Sequence, residues 1–171
     1  MLSFISLVIV LTVCSTGTQA ACCCSTYWTA FGHHCYRFFA YTKSWEDAER
    51  HCQSYSVPSL GSGGTVIDSI GHLVSIHSEE EQNFVSTFFG DSAKEASSYS
   101  HMWIGLHDVA TEGGYQWTDD TPMDFTKWGS TEPNDYGTGE DWAFLNSEDR
   151  YVWYDTSSAT KPYFMCKLPA K

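Results

Sequence analysis

The placement of cysteine constrains this chain more than any other feature. Seven cysteines stand in it: one at Cys14, a run of Cys22, Cys23 and Cys24, then Cys35, Cys52 and Cys166. Cys14 lies just after the apolar run Leu2 to Val13, and Thr18-Gln19-Ala20 supplies a small-residue cleavage site. Residues 1–20 therefore read as a secretory signal, although no Lys or Arg precedes the run, and the mature chain is expected to start at Ala21. The run is shorter than the ~20 residues that span a bilayer, and no second apolar stretch follows. Cleavage removes Cys14 and leaves an even set of cysteines in an oxidising compartment, which favours disulfides over redox or thiolate metal chemistry. Sequence spacing alone leaves their pairing open.

The remaining 21–171 segment, about 150 residues, is enough chain for one domain with a real core, and it shows no linker, heptad or internal repeat. Its charge excludes some partners. With 9 Lys plus Arg against 21 Asp plus Glu the formal net charge is −12, so nucleic acid and anionic membranes are repelled overall. Such acidity can serve solubility alone, or some carboxylates can cluster around a hard cation, and only their spacing distinguishes the two.

Along the chain, Tyr36 to Tyr41 reads as an aromatic strand. Ser44, with Asp47 three residues on, caps a first helix running through Cys52. Val57 to Gly71 is rich in Gly and Ser and reads as an exposed loop, and His72 to Ile76 as a short buried strand. Ser78 caps a second helix, with Glu79, Glu80 and Glu81 in its first turn, Phe84, Val85 and Phe88 on one face, and Gly90 as its stop. Short runs follow at Trp103–Leu106, Tyr115–Trp117, Trp142–Leu145, Tyr151–Trp153 and Tyr163–Lys167, separated by Gly, Asp, Asn and Pro. The expected class is α+β, two helices with small antiparallel sheets and long loops, and long loops of this kind usually carry function.

The chemistry concentrates in Glu132-Pro133-Asn134-Asp135-Tyr136-Gly137-Thr138-Gly139-Glu140-Asp141. Every polar side chain there offers oxygen, which suits Ca²⁺ with its six to eight oxygen ligands, whereas zinc would want His or Cys. An acidic surface loop is the plainer alternative. Around this segment, Cys35-Tyr36-Arg37-Phe38, the helix holding Trp45 and Cys52, His72-Leu73-Val74-Ser75-Ile76-His77-Ser78, Trp103-Ile104-Gly105-Leu106 and Phe164-Met165-Cys166 occur in one order. In that order the chain resembles the C-type lectin-like family over nearly all of its mature length.

The resemblance implies a double-loop fold whose long loop region carries calcium. By position, Glu132, Asn134, Glu140 and Asp155 look like the ligands of the principal calcium, shared with two neighbouring sugar hydroxyls, and Pro133 is expected to follow a cis peptide bond. Asp108, Glu112, Asp135 and Glu140 match an auxiliary calcium. The Glu-Pro-Asn form implies mannose-type ligands such as mannose, N-acetylglucosamine or fucose, and Tyr136 stands where a side chain can touch the sugar. Family positions also imply the disulfides Cys52–Cys166 and, most simply, Cys24–Cys35. Cys22 and Cys23 are left over and imply an intermolecular bridge, hence a dimer.

The chain departs from the family where Trp-Asn-Asp is usual, since Trp153-Tyr154-Asp155 stands there. A phenol supplies neither the carbonyl oxygen nor the amide donor of Asn, which opens the preference toward N-acetylhexosamines, including N-acetylgalactosamine. The family's inner disulfide is also missing, with Trp142 and Ser158 at its two positions, a loss of roughly 2–4 kcal/mol of constraint. The expected function is a secreted, calcium-dependent lectin that agglutinates cells or microbes in innate defence. The competing reading is a module of the same fold that binds protein or another non-sugar surface. No H-E-x-x-H, G-x-S-x-G or G-K-[ST] supports an enzyme, and no N-x-[ST] sequon occurs.

Overall fold

The computed structural model describes residues 24–60, 66–94, 100–137, 139–157 and 159–170. The expected signal segment, Cys22, Cys23 and Ser158 lie outside them.

Chain order gives β1 (Thr29–Phe31), β2 (His34–Phe39), α1 (Trp45–Gln53), β3 (Ser56–Leu60), β4 (Val66–Ile70), β5 (His72–Leu73), α2 (Glu79–Ala93), β6 (His101–His107), β7 (Gln116–Trp117), β8 (Trp142–Asn146), β9 (Val152–Thr156) and β10 (Tyr163–Pro169). The main sheet runs β1-β2-β10-β6-β8-β9, with β5 also on β10 and β7 on β6. All pairs are antiparallel except β10 with β6. The expected α+β class holds.

Period-two alternation along the strands sorts the core into two clusters. Met102, Ile104 and Leu106 of β6, with Tyr163 and Met165 of β10, pack with Val85 and Phe89 of α2. Trp103, Phe164 and Cys166 turn the other way and pack with Trp45, Ala48 and Cys52 of α1. Three of the indole N–H groups find acceptors: Trp45 donates to the Ile104 carbonyl at 2.9 Å, Trp103 to the Lys43 carbonyl at 3.0 Å and Trp153 to Gln82 Oε1 at 2.9 Å, whereas those of Trp117 and Trp142 are buried without a partner among the described residues. Gly105 is required by space, since a Cβ would lie 2.7 Å from the Leu73 carbonyl oxygen and 2.8 Å from Thr118 Oγ1.

Both helices begin as their caps dictate. Ser44 Oγ accepts from the Asp47 amide at 3.2 Å, and Ser78 Oγ from the Glu81 amide at 3.1 Å, each satisfying an otherwise orphaned donor. The end of α2 differs from expectation. Gly90 does not stop it, and the helix runs on to Ala93. A Cβ at residue 90 would meet the Tyr151 hydroxyl, so this glycine makes room for a packed ring instead of ending a helix.

A second difference is the segment from Val57 to Gly71. Instead of an exposed loop, its described residues pair as two antiparallel strands, β3 on β4, with Val57 opposite Ser69. Its Gly/Ser composition suggested a loop, but main-chain pairing needs no apolar side chains, and Val57 is buried against Cys35 and Leu168.

Two disulfides tie the domain, Cys24–Cys35 with Cα atoms 5.6 Å apart and Cys52–Cys166 at 5.3 Å. The second joins α1 to β10. The residue after Cys166 is Lys167, whose buried ammonium reaches Glu81 Oε1 at 2.7 Å and both oxygens of Ser75. Tyr36 donates its hydroxyl to the same Glu81 oxygen. Burial alone would raise the Glu81 pKa, but the charge and hydrogen bond of Lys167, with those of Tyr36 and the His77 amide, hold it below its usual value.

A group lowered in this way stabilises the fold above its unfolded pKa, about 4.3 for Glu, and loses that contribution as pH falls through the lower folded value. Removing the cation alone leaves a buried charge, so Lys167→Met should lower the unfolding free energy at pH 7 by about 3–5 kcal/mol. In urea titrations the deficit should shrink as pH falls through the lowered folded value, where Glu81 of the native protein also takes up its proton.

Candidate functional site

The segment between β7 and β8 has little regular structure, so its shape is set by individual hydrogen bonds. It is pinned to β9 at its middle, where Trp153 N donates to the Lys127 carbonyl at 2.8 Å and Gly129 N to the Trp153 carbonyl at 2.9 Å. A Cβ at residue 129 would lie 3.1 Å from both Glu132 Cγ and the Tyr154 ring, so the small residue lets the loop lie close on the strand. The Glu132–Pro133 peptide is cis. Beyond it Asp135, Gly137 and Gly139 take positive φ angles of 43°, 94° and 86°, conformations that Asn, Asp and above all Gly tolerate.

Asp155, on β9 and only 4% exposed, organises this turn. Both its oxygens accept from the Asn134 amide at 3.1 Å, and Oδ2 also accepts from the Asp135 amide at 2.8 Å and the Tyr115 hydroxyl at 3.2 Å. Asn134 Nδ2 donates to Glu132 Oε2 at 2.7 Å. Glu132 and Asn134 of the turn are thus brought together with Asp155, 21 positions beyond Asn134. Glu140 stands on the same turn with Oε2 accepting from the Tyr136 amide at 2.9 Å, and Tyr136 itself projects into solvent, 84% exposed.

The electrostatics of this group are unbalanced. Burial, then the hydrogen bond and charge of Asp155, push the Glu132 carboxyl up to about 7. Burial works against the charge on Asp155 as well, but hydrogen bonds from Glu132 and from the Asp135 and Asn134 amides keep its pKa below the usual range. Glu140 is raised by burial and by the nearby charges of Asp155 and Asp135. Two neighbouring carboxylates ionise together only at a cost, which a positive charge between them would relieve. Among the described residues no three His, Cys, Asp or Glu side chains converge on one point. The Asn134 amide and Glu140, once released from the Tyr136 amide, would have to complete a cation's oxygen shell with Glu132 and Asp155. The donor set, all oxygen, fits a hard cation.

The auxiliary residues form a neighbouring group. Asp108 is 1% exposed, with Oδ2 accepting from the Gly113 amide at 2.8 Å and Oδ1 buried without a hydrogen-bond partner. Glu112 is raised by slight desolvation and by the charges of Asp108 and Asp135, so these acids lie within electrostatic reach of one another. Asp135 Oδ1 is turned into its own loop, accepting from the Gly139 and Glu140 amides at 3.1 and 3.0 Å.

Tyr154 does not stand in for an amide. Its ring stacks on Phe144 at 5.7 Å, and its hydroxyl donates to Asp149 at 2.8 Å. Trp142 fills space beside the same cluster, its side chain partly buried. Tyr115 is the site residue that sequence reasoning missed. It was visible only as the first residue of an aromatic strand, and nothing local tells that its hydroxyl meets a carboxylate 40 positions away.

Comparison with known proteins places this geometry. Residues 67–168 match the lectin C-type domain family. Echinoidin of Heliocidaris crassispina is 51% identical over 148 residues, 86% of this chain and 97% of the relative. The alpha-N-acetylgalactosamine-specific lectin of Patiria pectinifera is 34% identical, covering 82% of this chain and 77% of its own length. Among solved structures, the C-type lectin CEL-I from Cucumaria echinata superposes with a TM-score of 0.74 at 35% identity, over 84% of this chain and 96% of that one. With the family match and these similarities on one α+β frame, the chain belongs to the C-type lectin domain family.

Proposed function

We propose that the protein is a secreted, calcium-dependent lectin whose Glu132–Asn134–Asp155 group, with Glu140, recognises a terminal N-acetylhexosamine. The observation that carries this is the meeting of Glu132 and Asp155, whose carboxyls share a site that lacks a positive charge. Calcium held there would supply that charge and leave coordination sites for two neighbouring sugar hydroxyls. The protein's own residues then do the recognising. Glu132 and Glu140 accept the hydroxyl protons, the Asn134 amide donates to a hydroxyl oxygen, and Asp155 keeps the turn in shape from below.

The choice among sugars rests on two residues. Tyr154 is engaged with Asp149 and Phe144, so the strand lacks the amide that completes the mannose-type reading. Tyr136, exposed beside Glu140, offers a ring face to an acetamido methyl. The specificity named for the Patiria pectinifera lectin supports the same choice. Asp108, Glu112, Asp135 and Glu140 are assigned to an auxiliary calcium, supported by the unpartnered buried Asp108 Oδ1. Residues 1–20 act as the secretory signal. Among the described residues no helix is long and apolar enough to cross a membrane. Cys22 and Cys23 link two chains, which raises avidity for multivalent glycans and suits agglutination. No catalysis is assigned.

On an array carrying N-acetylgalactosamine, N-acetylglucosamine, mannose, galactose and fucose, the mature protein should be retained by N-acetylhexosamines in calcium and released by chelator. Glu132→Ala should abolish retention. Retention on no sugar in calcium would favour the non-sugar module that Tyr154 hints at. Tyr154→Asn should strengthen mannose binding, by about tenfold if one amide hydrogen bond is restored. In denaturing electrophoresis the apparent mass should halve on reduction, and a mass unchanged by reductant would exclude the covalent dimer.

A further inference from the structure

We propose that a second site, independent of the calcium loop, is built around Arg37 and takes an acidic sugar, a pyranose ring bearing a carboxylate or a sulfate.

Arg37 lies in β2, half-buried, with its guanidinium 5.5, 4.9 and 5.7 Å from the ring centres of Tyr27, Phe39 and Tyr55. Arg50, Lys94, Lys127, Arg150 and Lys167 each have a carboxylate within 4.0 Å. Among the described residues the Arg37 guanidinium meets no carboxylate and donates no hydrogen bond. Lys43, against the Tyr41 ring, likewise meets no carboxylate within that range among the described residues, but Arg37 is held among three rings on a chain of net charge −12. Its rings fix its plane and leave its forked donors for a partner, the geometry that suits carboxylate and sulfate oxygens.

Arg37 also lines a cavity. The hollow, of about 250 Å³, is lined by Arg37, Trp28 and Tyr55 and by Ser25, Thr26 and Ser56. Trp28 and Tyr55 meet edge to face at 5.2 Å and 77°, forming an aromatic corner. A bare anion would use only the cation. A pyranose can lay its C–H face on an aromatic wall, pair its hydroxyls with those of Ser25, Thr26 and Ser56 and direct its acid group to the guanidinium.

The site is held in shape before any ligand arrives. Cys24–Cys35 ties down the chain at its edge, and Trp28 N donates to the Ser25 carbonyl at 3.0 Å to close the turn. Within that turn Tyr27 adopts φ 71°, a conformation costly for a bulky residue and kept only when its surroundings enforce it. The acidity of the rest of the chain is a weak deterrent, because at physiological ionic strength its field decays over about 8 Å.

The test uses the purified mature protein in excess chelator, which takes the Glu132 group out of play, so either reading can fail without the other. Titration with glucuronic acid, glucose 6-sulfate, glucose and inorganic sulfate is followed by the Trp28 indole N–H resonance. Saturable shifts with one or both acidic sugars are expected, and which one binds identifies the anion. Glucose and inorganic sulfate should each bind at least about tenfold more weakly, and Arg37→Gln should weaken the acidic sugar by about tenfold or more. Ser56→Trp, which fills the hollow while sparing Arg37, should abolish the shift and serves if Arg37→Gln does not fold. No shift with either acidic sugar, glucose as good as glucuronic acid, sulfate as good as the sulfated sugar, or affinity unchanged in both variants would each overturn the proposal.

Discussion

The fold depends on strand β10 being locked in the middle of the sheet. It pairs with β2 and β5 in antiparallel register and with β6 in parallel, so the end of the chain closes on its beginning. That closure is entropically expensive, because it joins segments more than a hundred residues apart. Cys52–Cys166, with a sequence separation of 114, removes much of the cost from the unfolded chain, on the order of 4–5 kcal/mol in the chain-entropy model. Neighbouring residues of β10 then reach both helices. Cys166 holds α1, and Lys167 holds α2 through Glu81.

The loop between β7 and β8 is organised by a different principle. It has almost no repeating main-chain structure, so its peptide groups are satisfied by carboxylates. Asp155 takes the amides of Asn134 and Asp135, Asp135 takes those of Gly139 and Glu140, and Glu140 takes that of Tyr136. The same oxygens that a cation would claim thus already hold the loop. The site is partly formed without an ion, with the nearby Asp155 contributing to the raised pKa of Glu132. Loss of the family's inner disulfide is offset in part by packing, with Trp142 joining Phe144 and Tyr154 beside Trp103.

That packing also bears on the proposed specificity, through Tyr154. A side chain recruited to an aromatic cluster, with its hydroxyl on Asp149, is no longer available to a ligand. In the proposed site, recognition falls instead to the exposed residues of the turn, Tyr136 among them. The Arg37 cavity follows the same logic in reverse: rings there orient a cation without neutralising it.

Much of this was legible in the sequence because it is local. The Ser44 and Ser78 caps, the aromatic strands and the oxygen-only composition of the 132–141 segment are each decided within a few residues. The order of motifs along the chain then carries the family, and with it the positions of Glu132, Asn134 and Asp155. What the sequence could not determine depends on distant neighbours. Gly90 looks like a stop until Tyr151 is seen to need its space, and Val57 to Gly71 looks like a loop until Val57 finds Cys35 and Leu168. Tyr115 becomes a site residue only when β9 brings Asp155 to its hydroxyl, and Arg37 becomes a free cation only when the fold gives it rings and no acid. Composition and capping are short-range and can be read in one dimension, whereas packing partners and charge balance are set by proximity in space.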